Sequence, residues 1–220
     1  EMKIMKYKLA VFDMDGTILN TLEDLKESTN YALDFHGFPK RTLDEVRRFV
    51  GNGIGKLIER AVPAGTPEKE TGRVLATFKR YYGEHCADHT KPYEKIPAFL
   101  KVVREKGCQT AVVSNKADFA VQDLCEQYFP GMFDFVVGER EGIRRKPCPD
   151  SVNEVLKTLG KTKEQAIYVG DSDVDVETAK NAGMPVIGVS WGFRGREFLE
   201  AHGAEWIADT PEDLWKFIEE

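Results

Sequence analysis

From Ile96 to its end the chain alternates segments of helical period with short apolar runs, and this alternation leaves few folds open. Helical patterning to Lys106 precedes a predicted strand at Thr110–Ser114, a helix at Phe119–Gln127, a strand at Phe133–Gly138 and a helix at Ser151–Leu159. A strand at Ala166–Asp171, a helix at Val174–Ala182, a strand at Pro185–Ser190, a helix near Glu197, a strand at Trp206–Ala208 and a helix at Glu212–Ile218 follow. The expectation is an α/β fold: a Rossmann-like core with a mainly parallel sheet and helices on both faces.

The first strand of that sheet is Lys8-Leu-Ala-Val-Phe-Asp13, a short apolar run bounded by polar residues. Between Thr21 and Asp88 only helical spacing is found, carried by Leu22, Leu25, Thr29 and Ala32, then Val46, Phe49, Leu57, Ile58 and Val62, then Val74, Phe78, Tyr81 and Tyr82. Gly51-Asn-Gly-Ile-Gly55 and Pro63-Ala-Gly-Thr-Pro67 divide it into several helices. The organisation expected is a core of residues 1–19 and 92–220, interrupted by an all-helical cap of residues 20–91, with hinges near Leu19–Glu23 and Asp88–Ile96.

Bulk properties narrow the partners. A net charge of -6 and a pI near 5.4 argue against nucleic acid, which calls for a basic face, while leaving room for a local pocket for a small anion. Cys86, Cys108, Cys125 and Cys148 show no C-x-x-C pairing, so neither zinc nor a disulfide framework is expected. No stretch approaches the roughly 20 apolar residues of a membrane span, and a cytoplasmic location is expected.

Ligands of open parallel sheets bind at the carboxyl ends of the strands. There the sequence delivers Asp13-Met-Asp15-Gly-Thr17, Ser114-Asn115-Lys116, Lys146-Pro147 in the loop after the third strand, and Gly170-Asp171-Ser-Asp-Val-Asp175. A calcium loop is a competing reading of Asp-x-Asp-Gly, but it requires a preceding helix and a glutamate at its twelfth position. Here a strand precedes, and the twelfth residue is Asp24.

These residues make the chain resemble the haloacid dehalogenase-like hydrolase superfamily from Leu9 nearly to its end, through Phe12-Asp-Met-Asp-Gly-Thr17, Val113-Ser-Asn115, Arg145-Lys-Pro147 and Val169-Gly-Asp-Ser-Asp-Val-Asp175. The resemblance implies a helical cap inserted after the first motif and a phosphomonoesterase working through a phosphoaspartate. Asp13 would be the nucleophile, and Asp15 the acid that protonates the leaving alkoxide and later the base for water. Family members that pump ions carry threonine where Asp15 stands, so Asp15 implies hydrolysis. Ser114 and the backbone N–H of Asn115 would hold the phosphoryl oxygens, Lys146 would neutralise their charge, and Gly16 and Thr17 would shape the phosphate turn. Magnesium would be held by Asp13, the Asp15 carbonyl and Asp171; Asp175 would bind it directly, reach it through water, or orient Lys146.

The segment Phe49–Ala61, with Arg80-Tyr-Tyr-Gly-Glu84 and Ala179-Lys-Asn-Ala-Gly183, is similar to bacterial phosphoglycolate phosphatases. That likeness implies a small phosphorylated metabolite, 2-phosphoglycolate, with Gly53, Arg48 and Lys56 near its carboxylate. Pyrophosphate, nucleoside monophosphates and sugar phosphates are the alternative substrates, a hexose-phosphate mutase the alternative reaction, and a binding protein without turnover the alternative class. A monomer or weak homodimer is expected. His85 and His89 share a helical spacing suited to a metal but lack a third ligand, and Trp191-Gly-Phe-Arg194 is a candidate pocket wall.

Overall fold

In the computed structural model, which describes residues 3–220, strand β1 (Leu9–Phe12) is buried along its whole length and pairs in parallel on both sides. The chain leaves it through β2 (Leu19–Asn20), passes through α1 (Leu22–Phe35), α2 (Leu43–Phe49), α3 (Ile54–Ala61) and α4 (Glu68–His85), and returns through β3 (Lys91–Pro92). There follow α5 (Ile96–Glu105), β4 (Gln109–Ala117), α6 (Asp118–Tyr128), β5 (Phe135–Glu139), α7 (Asp150–Leu159), β6 (Ala166–Gly170), α8 (Asp173–Ala182), β7 (Val186–Val189), α9 (Arg196–Ala201), β8 (Trp206–Ala208) and α10 (Trp215–Ile218). Two compact units result: the described residues up to Leu19 with Pro92–Glu220, and Asn20–Lys91.

In the first unit the strand order is β5-β4-β1-β6-β7-β8, and every pairing is parallel. Side chains of β1 alternate between faces, as the pleat requires. Leu9 and Val11 join Ala111, Val113, Val152, Val155 and Tyr168 in one core cluster, while Phe12 meets Phe99 and Phe133 edge-on at 6.5 and 6.3 Å. The chain adds strands first on one side of β1 and then on the other. The crevice at the carboxyl end of β1 is therefore the place where a ligand fits such a sheet.

Four details depart from the sequence expectation. β4 runs on to Ala117, with its register against β5 shifting after Val113. β5 begins at Phe135, because Phe133 turns into the aromatic contacts with Phe12 and Phe129. The closing helix is a 3-10 turn at Pro211–Leu214 followed by the short α10, the turn opening on Pro211 behind a Thr210 cap. Two-residue strands β2 and β3 pair with each other where no strand was expected.

The second unit has Leu25, Ala32, Leu33, Val46, Leu57, Ile58, Val74 and Phe78 as its buried core. Buried Asp24 accepts hydrogen bonds from the backbone N–H groups of His89 and Thr90 and from the Thr90 hydroxyl, fastening the start of α1 to the returning chain. His85 and His89 pair separately with Asp88 and Glu27, which agrees with ordinary polar surface. Among the described residues no helix is long and apolar enough to cross a membrane.

Candidate active site

Strand β1 ends directly in Asp13, and the next residues fold into a tight turn in which the Met14 carbonyl accepts from the N–H groups of Thr17, Ile18 and Leu19. Gly16 sits at φ +84° in this turn, and a Cβ there would lie 2.2 Å from Oδ2 of Asp171. Only glycine satisfies both constraints. The hydroxyl of buried Thr17 donates to Oδ1 of Asp171 at 3.2 Å and so helps to orient that carboxylate.

On the neighbouring strand, Asp171 follows β6 and Ser172 caps α8. Its side chain accepts from the N–H of Asp175 while the Asp175 carboxylate accepts from the Ser172 N–H, a reciprocal capping box. The cap leaves Oδ1 of Asp175 for two further donors, Nζ of Lys146 at 2.9 Å and the hydroxyl of Tyr168 at 2.8 Å. Asp175 thus orients Lys146, and its carboxylate also belongs to a cluster that could hold a metal ion.

Lys146 is buried, and its ammonium also donates to Oδ1 of Asp13 at 3.0 Å and lies 2.8 Å from the Tyr168 hydroxyl. Burial works against the ammonium charge, but Asp13 and Asp175 outweigh it and hold its pKa well above the usual value. The backbone of Lys146 is clamped by the side chain of Asn115, whose Oδ1 accepts from the Lys146 N–H at 2.9 Å and whose Nδ2 donates to the Lys146 carbonyl at 3.1 Å. Ser114 is buried at the same strand end, its hydroxyl accepting from the N–H of Lys116. Asp15 receives the Lys116 ammonium at 2.9 Å.

Carboxylate oxygens of Asp13, Asp171 and Asp175 lie within 4.8 Å of one another. Two of these buried carboxylates, Asp13 and Asp175, share the Lys146 ammonium, while Asp171 receives the Thr17 hydroxyl and the Phe193 N–H, and the shortage of positive charge shows in their ionisation. Burial, then repulsion from Asp175, pushes Asp13 well above the usual carboxylate range and Asp171 up to about 7, although the Phe193 N–H, Arg194 and Lys146 oppose the rise at Asp171. Burial would raise Asp175 too, but the Lys146 charge and hydrogen bonds from Lys146, Tyr168 and Ser172 hold it low. An all-oxygen donor set short of positive charge fits a hard divalent cation.

Two contributors make contacts that the sequence does not announce. Tyr168 reads there as one more apolar residue of a buried strand; the usable signal was a phenolic hydroxyl in a segment that otherwise has nothing to bond it. The Trp191–Arg194 loop, a candidate pocket wall in the sequence, folds onto the Asp171 carboxylate. Phe193 N–H donates to Oδ2 of Asp171 at 2.8 Å, and the Trp191 indole N–H donates to the Thr17 carbonyl at 3.0 Å. A Cβ on Gly192 would stand 2.3 Å from the Asp171 Cβ and 2.4 Å from the Gly16 carbonyl.

Arg48, Gly53 and Lys56 belong to the helical unit. Gly53 precedes α3 with φ +87°, Arg48 is exposed, and Lys56 pairs with Glu59 at 2.8 Å. The glycine loop is held by Arg60, unremarked in the sequence, which donates to the Phe49 carbonyl and to Asn52.

The haloacid dehalogenase-like hydrolase family model matches residues 10–189. Phosphoglycolate phosphatase from Aquifex aeolicus (strain VF5) is 30% identical over 96% of this chain and 97% of its own length. The Haemophilus influenzae (strain 86-028NP) phosphoglycolate phosphatase is 31% identical over 93% and 95%. A crystal structure of a Lactobacillus delbrueckii subsp. bulgaricus protein, provisionally assigned as a phosphoglycolate phosphatase, superposes with a TM-score of 0.94 at 41% identity, covering 98% of this chain and all of that one. With these motifs at the ends of β1, β4 and β6, the chain belongs to the haloacid dehalogenase-like hydrolase family.

Proposed function

We propose that this protein is a magnesium-dependent phosphomonoesterase that hydrolyses 2-phosphoglycolate through a phosphoaspartate on Asp13. The observation that carries the reading is the buried pairing of Asp13 with Lys146 beside Asp171, because phosphoryl transfer asks for an in-line nucleophile and for charge neutralisation around the phosphoryl oxygens. Asp13 attacks phosphorus, and Asp15 gives a proton to the departing alkoxide and takes one from the water that cleaves the acyl phosphate. Ser114 and the Asn115 N–H donate to the phosphoryl oxygens, and Lys146 moves its charge from Asp13 toward the oxygens that gain charge in the transition state. Magnesium, when bound by Asp13, Asp171 and the Asp15 carbonyl, adds a compact positive charge against the phosphoryl group.

The substrate assignment rests on the names of the relatives and on the likeness of Phe49–Ala61 to the cap loop of bacterial phosphoglycolate phosphatases. Arg48, Gly53 and Lys56 are assigned to selection of the substrate on that likeness. Phosphate release from 2-phosphoglycolate, pyrophosphate, nucleoside monophosphates and hexose phosphates, with magnesium or with EDTA, tests the whole. A strong preference for phosphoglycolate abolished by EDTA is expected; weak release across the panel overturns the substrate, and release in EDTA overturns the metal requirement.

A further inference from the structure

The two aspartates after β1 are paired with different ammonium groups. Lys146 serves Asp13, and Lys116 serves Asp15 at 2.9 Å, with only 5% of the lysine side chain and 15% of the aspartate side chain exposed. Burying an ammonium is costly unless a partner and geometry justify it, and a strand end next to solvent would ordinarily turn a lysine outward.

The local backbone is built to turn Lys116 inward. The register of β4 against β5 shifts between Val113 and Ala117, and Lys116 lies inside the irregular stretch. Gly138 of β5 makes the bend possible. A Cβ there would stand 2.4 Å from the Lys116 carbonyl and 2.7 Å from the Asp118 Cα, both backbone atoms that cannot swing aside. The bend is then fixed from both ends: the Gly138 N–H donates to Asp118, and the Lys116 N–H donates to the Ser114 hydroxyl.

We propose that Lys116 is a positioning residue for proton transfer, which fixes the Asp15 carboxyl group and thereby governs departure of poor leaving groups and hydrolysis of the phosphoenzyme. The proposal rests on the reading of Asp15 as the proton-transfer group. In the first step the Asp13 oxygen forms a bond to phosphorus as the ester O–P bond breaks, and the proton of Asp15 goes to the leaving oxygen. In the second, a water oxygen bonds to phosphorus, its proton passes to Asp15, and the Asp13 O–P bond breaks to release phosphate. An alkoxide leaving group needs that proton, whereas a nitrophenolate leaves without it. A lysine that acts through Asp15 therefore affects one substrate class and not the other, a split that a structural role would not produce.

The test compares wild type, Lys116→Met, Lys116→Arg, Asp15→Asn and the double variant Asp15→Asn/Lys116→Met in rapid-quench assays with magnesium. A nitrophenyl phosphate and an alkyl phosphate are the substrates, and phosphoenzyme formation and decay are followed separately. Lys116→Met is expected to form phosphoenzyme from the nitrophenyl ester within about threefold of wild type. Formation from the alkyl ester and phosphoenzyme decay are expected to fall by about 100-fold, the scale of lost acid–base catalysis. Lys116→Arg is expected to recover about tenfold of that loss, and the double variant to be no slower than Asp15→Asn, because residues acting as a unit are not additive.

Equal losses on both esters, no loss on either, or an additive double variant would each overturn the proposal. Should Lys116→Met fail to fold, Lys116→Arg and the double variant, in which the unpaired carboxylate is gone, carry the same comparison. Should Asp15→Asn itself show no difference between the two esters, the reading of Asp15 is at fault and the role of Lys116 falls with it.

Discussion

Nζ of Lys146 stands 3.0 Å from Oδ1 of Asp13, and both side chains are almost wholly withdrawn from water. Removing one partner from a buried ion pair leaves a charge with no compensation, a larger loss than the pair was worth. The remaining partner of Lys146 then decides whether the ammonium stays where it is, and that partner is Asp175. Asp175→Asn keeps the shape but removes the charge and turns an amide toward groups that donate to Oδ1 and Oδ2. It is expected to destabilise the protein by about 3 kcal/mol in urea unfolding and to lower kcat more than it changes KM.

Tyr168→Phe is the milder version of the same experiment. It removes a hydroxyl that bonds Lys146 and Asp175 without opening a cavity in the sheet. The expected loss is about 1 kcal/mol, with kcat reduced and the metal requirement unchanged; a loss beyond that of Asp175→Asn would contradict the ranking of the two partners.

Close packing around Asp171 makes Gly192 and Gly16 poor places for a methyl group. Gly192→Ala sets a Cβ against the Gly16 carbonyl and the Asp171 side chain, and a cost of about 1–3 kcal/mol with a weakened response to magnesium is expected in thermal melts. Gly72 lies inside α4 with nothing within 4 Å of its missing Cβ. Gly72→Ala should stabilise by about 0.5–1 kcal/mol and leave activity alone, so the pair separates crowding at the site from loss of glycine as such.

The shortage of positive charge predicts a pH dependence for metal binding. Asp171 is raised from 3.8 to about 7 when no metal is present, so in the metal-free protein its protonation stabilises the fold. That contribution is full below its unfolded value and is lost as the pH rises through about 7, with Asp13 acting in the same direction. A cation must displace the proton. Magnesium affinity by calorimetry should therefore drop by about tenfold per pH unit below about 7 for one displaced proton, and the magnesium-induced rise in Tm should grow over the same range. An affinity flat with pH would contradict the shortage of positive charge among the three carboxylates.

How much of this was legible in the sequence depends on how local each cause is. The strands and the residues at their ends could be read because period and strand termini are local properties, and Asp13, Ser114, Lys146 and Asp171 fall at the mouth of the sheet. The capping box of Ser172 and Asp175 could be read as well, yet its consequence could not: the same carboxylate fixes Lys146 from a loop 29 positions away. The contact of the Thr17 hydroxyl could not be read for the same reason, since its partner lies 154 positions on. Long-range partners such as Tyr168, Phe193 and Lys116 carry no signal in spacing, and the inward turn of Lys116 depends on a register shift in β4 that nothing in its own strand announces.

The central claim is the covalent bond to Asp13. Rapid acid quenching with substrate and magnesium, followed by intact and peptide mass spectrometry, measures it directly. One phosphoryl group on the peptide containing Asp13 is expected during turnover, lost in Asp13→Asn along with phosphate release; phosphate release with no modification of that peptide, or undiminished release by Asp13→Asn, would contradict the account.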